Sequence, residues 1–136
     1  MSPGGTDSLI GNFPRPFLPI KIINPHTGRT LPTWGLIDTG ADECAVPARL
    51  DPLLGHNLEI VNGKEVTTGG GPTIVFPHTT KFEIYNPHTY QLEYTTENTL
   101  IDYMPGLAFT LLGVNNFLKN FILHIDYHQL KFSLTI

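Results

Sequence analysis

Short apolar stretches separated by strong turn signals run along this chain, and their spacing constrains the fold more than any other feature. Phe17 to Ile23 is followed by Asn24-Pro25-His26-Thr27-Gly28 and then by Thr33 to Ile37, the pattern of a hairpin in which Pro pre-sets the turn and Gly closes it. A second hairpin is marked by Leu58 to Val61, Asn62-Gly63 and Lys64 to Thr67, since Asn-Gly suits a two-residue turn with positive φ. Beyond Gly69-Gly70-Gly71 come Thr73 to Phe76, Lys81 to Tyr85 and Tyr90 to Thr95, the last two joined by Asn86-Pro87-His88-Thr89. This third turn repeats the Asn-Pro-His-Thr of the first, as a duplicated unit or two independent uses of one good turn would.

Near the end, Phe109 to Leu112 reads as a buried strand stopped at Gly113, and Asn115 to Asn120 as one short helix with Asn at both ends. Phe121 to Tyr127 and Leu130 to Ile136 alternate with a phase slip at His128-Gln129, which predicts a turn or bulge there. Met1 to Pro16 mixes Ser, Gly, Asn and Pro without periodicity and reads as a flexible or extended arm before a domain spanning Phe17 to Ile136. The expectation is an all-β domain of many short strands.

Composition agrees. The 136 residues include 13 Gly and 12 Pro, and only 15% are charged against about 25% in an average domain, a balance that favours strands and turns. A chain of this length buries roughly two thirds of its unfolded surface and makes one domain without staples. The net charge of −4, with basic residues scattered singly, argues against nucleic acid as a partner. Cys44 is the only cysteine, so neither an intramolecular disulfide nor a cysteine-based zinc site can form, which fits a reducing, cytoplasmic setting. The first twenty residues hold no apolar run of signal-peptide or membrane-span length, so no membrane association is expected.

One segment carries chemistry. The apolar Trp34-Gly35-Leu36-Ile37 delivers a carboxylate into the turn Asp38-Thr39-Gly40-Ala41, where Gly40 permits close backbone approach. Read alone, Asp-Thr-Gly could be an ordinary strand-ending turn. Its order with the Gly-rich tip at Gly69 to Gly71, the apolar pair Leu111-Leu112 ending in Gly113, a short helix and a closing strand resembles the retropepsin-like aspartic proteases, the single-domain family that includes the retroviral enzymes. The resemblance runs from about Phe17 to Ile136 and is most specific at Asp38-Thr39-Gly40-Ala41-Asp42 and at Leu111 to Gly113.

That resemblance implies a closed β-barrel with a flap hairpin and one short C-terminal helix, and an endopeptidase needing no metal or cofactor. Two carboxylates about 3 Å apart cannot both ionise cheaply, so they share a proton; one activates water while the other protonates the scissile carbonyl. The chain holds one Asp-Thr-Gly, and neither Asp102 nor Asp126 begins a second, so a homodimer with one Asp38 from each subunit is implied. By resemblance Thr39 bonds the partner's loop across the two-fold axis and Gly40 keeps backbone near the substrate. Ala41 and Asp42 flank a polypeptide substrate, Gly69, Gly70 and Gly71 form the flap that closes over it, and Leu112 contributes to the site.

Retroviral members place an Arg after the second apolar-Gly element, where it pairs with an acid behind the catalytic turn; here Val114 stands there, and Arg15 or Arg49 could substitute. Pro47 to Gly55 is also longer than in the compact retroviral enzymes. A catalytically silent domain binding a peptide or protein in the same groove is therefore the alternative function. His124-Ile125-Asp126-Tyr127-His128 could support a metal- or ligand-binding β-domain, but an amphipathic strand with Ile125 and Tyr127 inward and His124 and Asp126 outward explains it better. Cys44 reads as a small buried hydrophobe, and His26, His78 and His88 as surface turn residues after Pro. Phe13-Pro14 resembles an aromatic-Pro bond of the kind cut in self-release.

Overall fold

The computed structural model describes residues 7–12, 16–56, 63–129 and 131–135. Among the described residues there are eleven strands: β1 (Asp7–Asn12), β2 (Phe17–Ile23), β3 (Thr30–Ile37), β4 (Ala45–Pro47), β5 (Lys64–Thr68), β6 (Gly71–Tyr85), β7 (Leu92–Thr95), β8 (Thr99–Met104), β9 (Thr110–Leu112), β10 (Ile122–Asp126) and β11 (Lys131–Thr135). The protein is thus mostly β, as its turn spacing demands.

The main sheet runs β2-β3-β9-β4-β8-β6-β5, and β6 also pairs back onto β2 through Ile20↔Ile84 to Ile23↔Lys81. A second sheet, β1-β11-β10, uses part of the segment read as an arm: Asp7–Asn12 pairs antiparallel with β11. The Leu58 to Val61 strand and Asn62 of the second hairpin lie outside the described residues, as do Arg15 and the Phe13-Pro14 bond.

Two turns share one construction. Asn24 Oδ1 accepts from His26 N at 3.0 Å and Asn86 Oδ1 from His88 N at 2.8 Å. Thr27 and Thr89 hydroxyls accept from Arg29 N and Gln91 N, and the amides of Gly28 and Tyr90 return to the Asn carbonyls at 2.8 Å. The fifth residue is left-handed in both, φ 74° at Gly28 and 57° at Tyr90. Both Asn side chains are buried, so each Asn is a folding element and not a surface decoration.

Further along, local structure departs from expectation. Thr73 to Phe76 and Lys81 to Tyr85 are one fifteen-residue strand, β6. Its inward-facing positions switch parity around Phe76-Pro77, from Val75 to His78, Thr80, Phe82 and Ile84, so the break in sequence alternation marks a change of face. The short helix at Asn115 to Asn120 is only a 3-10 turn, Leu118–Asn120, without side-chain capping; Asn116 is engaged elsewhere. Helical structure also stands where none was expected, a 3-10 turn at Ala48–Leu50 leading into α1 (Asp51–Leu54), with Pro52 in the first turn and left-handed Gly55 ending it.

The core gathers Leu18, Ile20, Ile22, Phe82, Ile84, Tyr103, Leu112, Phe117 and Phe132, all essentially inaccessible. Burial of each large apolar side chain contributes on the order of 1.5 to 3 kcal/mol. Cys44 belongs to this core, and burial pushes its thiol up to about 12. His78, expected on the surface, is buried within β6 at 8% exposure, stacked on His56. Tyr127, expected inward, is 75% exposed because β10 ends at Asp126, whose carboxylate accepts from His128 N and Gln129 N and turns the chain outward. No helix among the described residues is long and apolar enough to cross a membrane.

Candidate active site

Asp38 sits one residue past β3, which lies parallel to β9 through Gly35↔Thr110, Leu36↔Leu111 and Ile37↔Leu112. Gly35 permits that pairing to be tight: a Cβ there would meet Leu112 at 3.0 Å and Ile20 at 3.2 Å. The Asp38 amide continues the ladder to Leu112 O at 3.1 Å. Its carboxylate Oδ1 accepts from Gly40 N at 2.9 Å, while Ala41 N returns to Asp38 O at 3.2 Å. The turn therefore orients the carboxylate with its own backbone donor.

The loop after Asp38 is stitched to the chain after β9. Val114 N donates to Ala41 O at 2.9 Å and Asn115 N to Asp42 O at 2.8 Å. Asn116 Oδ1 accepts from Cys44 N at 2.7 Å, Asn115 Nδ2 donates to Glu43 Oε1 at 3.1 Å, and Gly113 N approaches Cys44 Sγ at 3.3 Å. Gly113 is required because a Cβ there would overlap the Glu43 carbonyl and lie 2.9 Å from Ala41 O. Val114 offers this loop only its backbone, and the side-chain links come from Asn115 and Asn116. Arg49 does not take that role; its guanidinium clamps the carbonyls of Leu107 and Ala108.

A cavity of about 810 Å³ opens over this loop. Asp38, Gly40, Ala41 and Asp42 line its floor, while Val66, Thr67, Gly69 and Thr73 come from the β5–β6 hairpin, with Asp102, Met104 and Leu111 in the wall. The hairpin pairs Lys64↔Val75 through Thr68↔Gly71 and turns at Gly69-Gly70, with Gly71 at φ 106°. Thr39 is exposed on the same loop. Of the residues singled out from sequence, Asp38, Gly40, Ala41, Asp42 and Gly69 line this cavity, whereas Thr39, Gly70 and Gly71 do not.

Leu112 stands apart from the expected set. It is fully buried in the core, and Leu111 takes the cavity wall instead, because neighbouring residues of β9 face opposite sides. Asp102, which does not begin a second Asp-Thr-Gly, stands in the cavity wall paired to Lys64 Nζ at 3.2 Å. Val66, Thr67, Thr73 and Met104 were missed, since they reach the cavity only through strand register. A second hollow of about 800 Å³, lined by Phe17, Trp34, Arg49, Leu50 and Phe109, does not include Asp38.

Among solved structures, the chain is similar to the crystal structure of a retropepsin-like aspartic protease from Rickettsia conorii, with a TM-score of 0.58 over 92% of this chain and 90% of that one, at 20% identity. The fold is retropepsin-like. No protein-family model matches the chain, and no curated protein matches it. Within this retropepsin-like fold the Asp38 turn and the β5–β6 hairpin bound one cavity, an arrangement suited to holding an extended chain between floor and overhang.

Proposed function

We propose that the protein is a homodimeric aspartic endopeptidase of retropepsin type. The observation that carries this reading is the placement of Asp38, fixed by Gly40 N and the β9 ladder, in the floor of a cavity roofed by the Gly69-Gly70 hairpin. One protomer supplies one such carboxylate, and a second copy across a two-fold axis supplies the other. The six-strand circuit from β2 to β6 serves as the family's closed barrel, and the β5–β6 hairpin as its flap.

In the reaction, the ionised member of the Asp38 pair takes a proton from water as its oxygen bonds to the scissile carbonyl carbon. The protonated member gives its proton to the carbonyl oxygen. Collapse of the tetrahedral adduct breaks the C–N bond; the amine leaves with a proton from the dyad, and one hydroxyl of the adduct returns its proton to the dyad as the carboxylic acid forms. Thr39, exposed beside Asp38, meets the partner's loop; Ala41 and Asp42 flank the peptide, and Gly69, Gly70 and Gly71 close over it, excluding water. The lone, buried Cys44 is consistent with a cytoplasmic setting, and neither metal nor cofactor enters this chemistry.

The test is hydrolysis of a random peptide library between pH 4 and 7 by the full chain and by Asp38→Asn, each sized by light scattering. Cleavage by the wild-type dimer that disappears in the variant, while the dimer persists, supports the proposal. A stable wild-type dimer that binds peptide but cleaves none overturns it in favour of a silent peptide-binding domain.

A further inference from the structure

On the far side of β8 from the cavity, three side chains converge whose chemistry the proteolytic reading leaves unused. Asp51 opens α1 at 1% exposure, His78 lies mid-strand in β6 at 8%, and His56 follows the α1 C-cap. Asp51 Oδ1 stands 3.7 Å from His78 Nε2, and the two imidazoles stack with centroids 4.0 Å apart. One ligating atom from each of the three lies within 4.8 Å of the others. Asp51 Oδ1, His56 Nε2 and His78 Nε2 are all buried without a hydrogen-bond partner.

Three inward-turned polar atoms without partners cost free energy that a native interior normally avoids. Beyond the 3.7 Å approach of Asp51 Oδ1 to His78 Nε2, their surroundings offer them no hydrogen bond. The Tyr103 ring stands edge-on to both imidazoles, but its hydroxyl is turned to Thr80 Oγ1 at 2.9 Å. Asn24 Nδ2 is committed to Leu54 O at 2.9 Å and reaches only His56 Nδ1, at 3.3 Å. A dication would satisfy all three atoms and neutralise the carboxylate at once.

We propose that Asp51, His56 and His78 form a binding site for a divalent transition-metal ion of the zinc type. Two imidazole nitrogens and one carboxylate oxygen match borderline ions such as Zn²⁺, whereas Ca²⁺ and Mg²⁺ prefer all-oxygen sets. Tetrahedral ligation with bonds of about 2.0 Å separates ligand atoms by about 3.3 Å, so the 3.7 Å between Asp51 Oδ1 and His78 Nε2 needs little closing. His56 makes the larger adjustment. A single ion cannot lie in the planes of two rings tilted by only 13°, so the His56 ring swings on loading and gives up its contact with Asn24. That contact also fixes the starting tautomer: Nδ1 accepts from Asn24, so the proton is on Nε2, and coordination through Nε2 moves it to Nδ1. The bound ion clips α1 to the middle of β6, the strand whose other end forms the overhanging hairpin, and does so independently of Asp38.

The experiment uses the full chain, stripped with chelator and titrated with ZnCl₂ by calorimetry, alongside Asp51→Asn, His56→Gln and a His124→Gln/His128→Gln control. Expected are one Zn²⁺ per chain, a raised Tm, an affinity at least about tenfold weaker in Asp51→Asn and His56→Gln, and none of this from Mg²⁺ or Ca²⁺. Long-range ¹H–¹⁵N spectra of the wild type should show His56 and His78 shifting together and the His56 proton moving to Nδ1. This readout decides the matter if the variants fold poorly. Absence of stoichiometric Zn²⁺, binding unchanged in Asp51→Asn and His56→Gln, binding lost only in the control, or imidazole spectra of His56 and His78 that ignore Zn²⁺ would each overturn the proposal.

Discussion

Alanine at Gly113 adds a carbon that overlaps the Glu43 carbonyl group and stands 2.9 Å from Ala41 O. Both obstacles are backbone, so no rotamer change relieves them, and the Ala41-to-Cys44 loop must retreat from β9. The retreat stretches the bonds that stitch the two segments: Val114 N to Ala41 O at 2.9 Å, Asn115 N to Asp42 O at 2.8 Å and Cys44 N to Asn116 Oδ1 at 2.7 Å. With a net worth of about 1 kcal/mol per hydrogen bond, and overpacking of about 1 to 3 kcal/mol in its own right, Gly113→Ala should cost about 3 kcal/mol or more. For a chain of this size that lowers Tm by about 10 °C. Two controls separate sterics from backbone strain. A Cβ at Gly69 meets nothing within 4 Å, so Gly69→Ala should be near neutral. Gly106 has equal room but φ +79°, so Gly106→Ala should lose about 1 to 2 kcal/mol from the left-handed backbone alone. Urea unfolding followed by far-UV circular dichroism ranks the three. A Gly113→Ala protein within about 0.5 kcal/mol of wild type would show that the loop is not held where these contacts place it.

Tyr90 occupies the left-handed position that Gly28 fills in the twin turn, and it is 62% exposed, so Tyr90→Gly should raise stability by about 0.5 to 1 kcal/mol in the same urea assay; a loss would refute the equivalence of the turns. Asn116→Ala orphans the Cys44 amide and should cost about 1 to 3 kcal/mol, whereas Asn115→Ala, whose bond to Glu43 is exposed, should cost under about 1 kcal/mol; equal effects would contradict the assigned roles. Burial raises the Cys44 thiol from 9.0 to about 12, so at pH 8 the folded chain should resist a thiol reagent and react only through unfolding, the rate rising with urea. Because the folded state favours the protonated thiol, this group's contribution to stability is complete below pH 9 and falls away as pH rises toward 12. A thiol that labels rapidly in native buffer would place Cys44 outside the core.

The hairpin turns were legible because their instructions are local. Asn24 and Asn86 fold their own next residues through Oδ1, Thr27 and Thr89 close the same loops, and no distant contact is needed to recognise them. The same holds for Asp38, carried out of an apolar strand into a turn bonded by Gly40. β6 was harder, since Pro77 reads as a break, yet the strand runs through it while exchanging its inward face. β8 carries Leu100, Ile101, Tyr103 and Met104, but no turn signal of the Asn-Pro-His-Thr kind frames it; Ile101 and Tyr103 are buried and every residue but Met104 pairs with β6. Within the long Pro47 to Gly55 segment, Pro52 and Gly55 begin and end a single helical turn at Asp51–Leu54, too short to show a helical period.

By itself the sequence determined a mostly β chain, two of its turns and the position of the carboxylate that leaves β3, since each follows from preferences acting within a few residues. Only the tertiary structure decided which of Leu111 and Leu112 faces the cavity, because a one-residue change of register exchanges them. It also decided that Asn115 and Asn116 secure the loop after Asp38 and that Asp51, His56 and His78 meet in the interior. Those meetings join segments far apart in the chain, and they are set by how the strands pair and what must be buried, which no local pattern records.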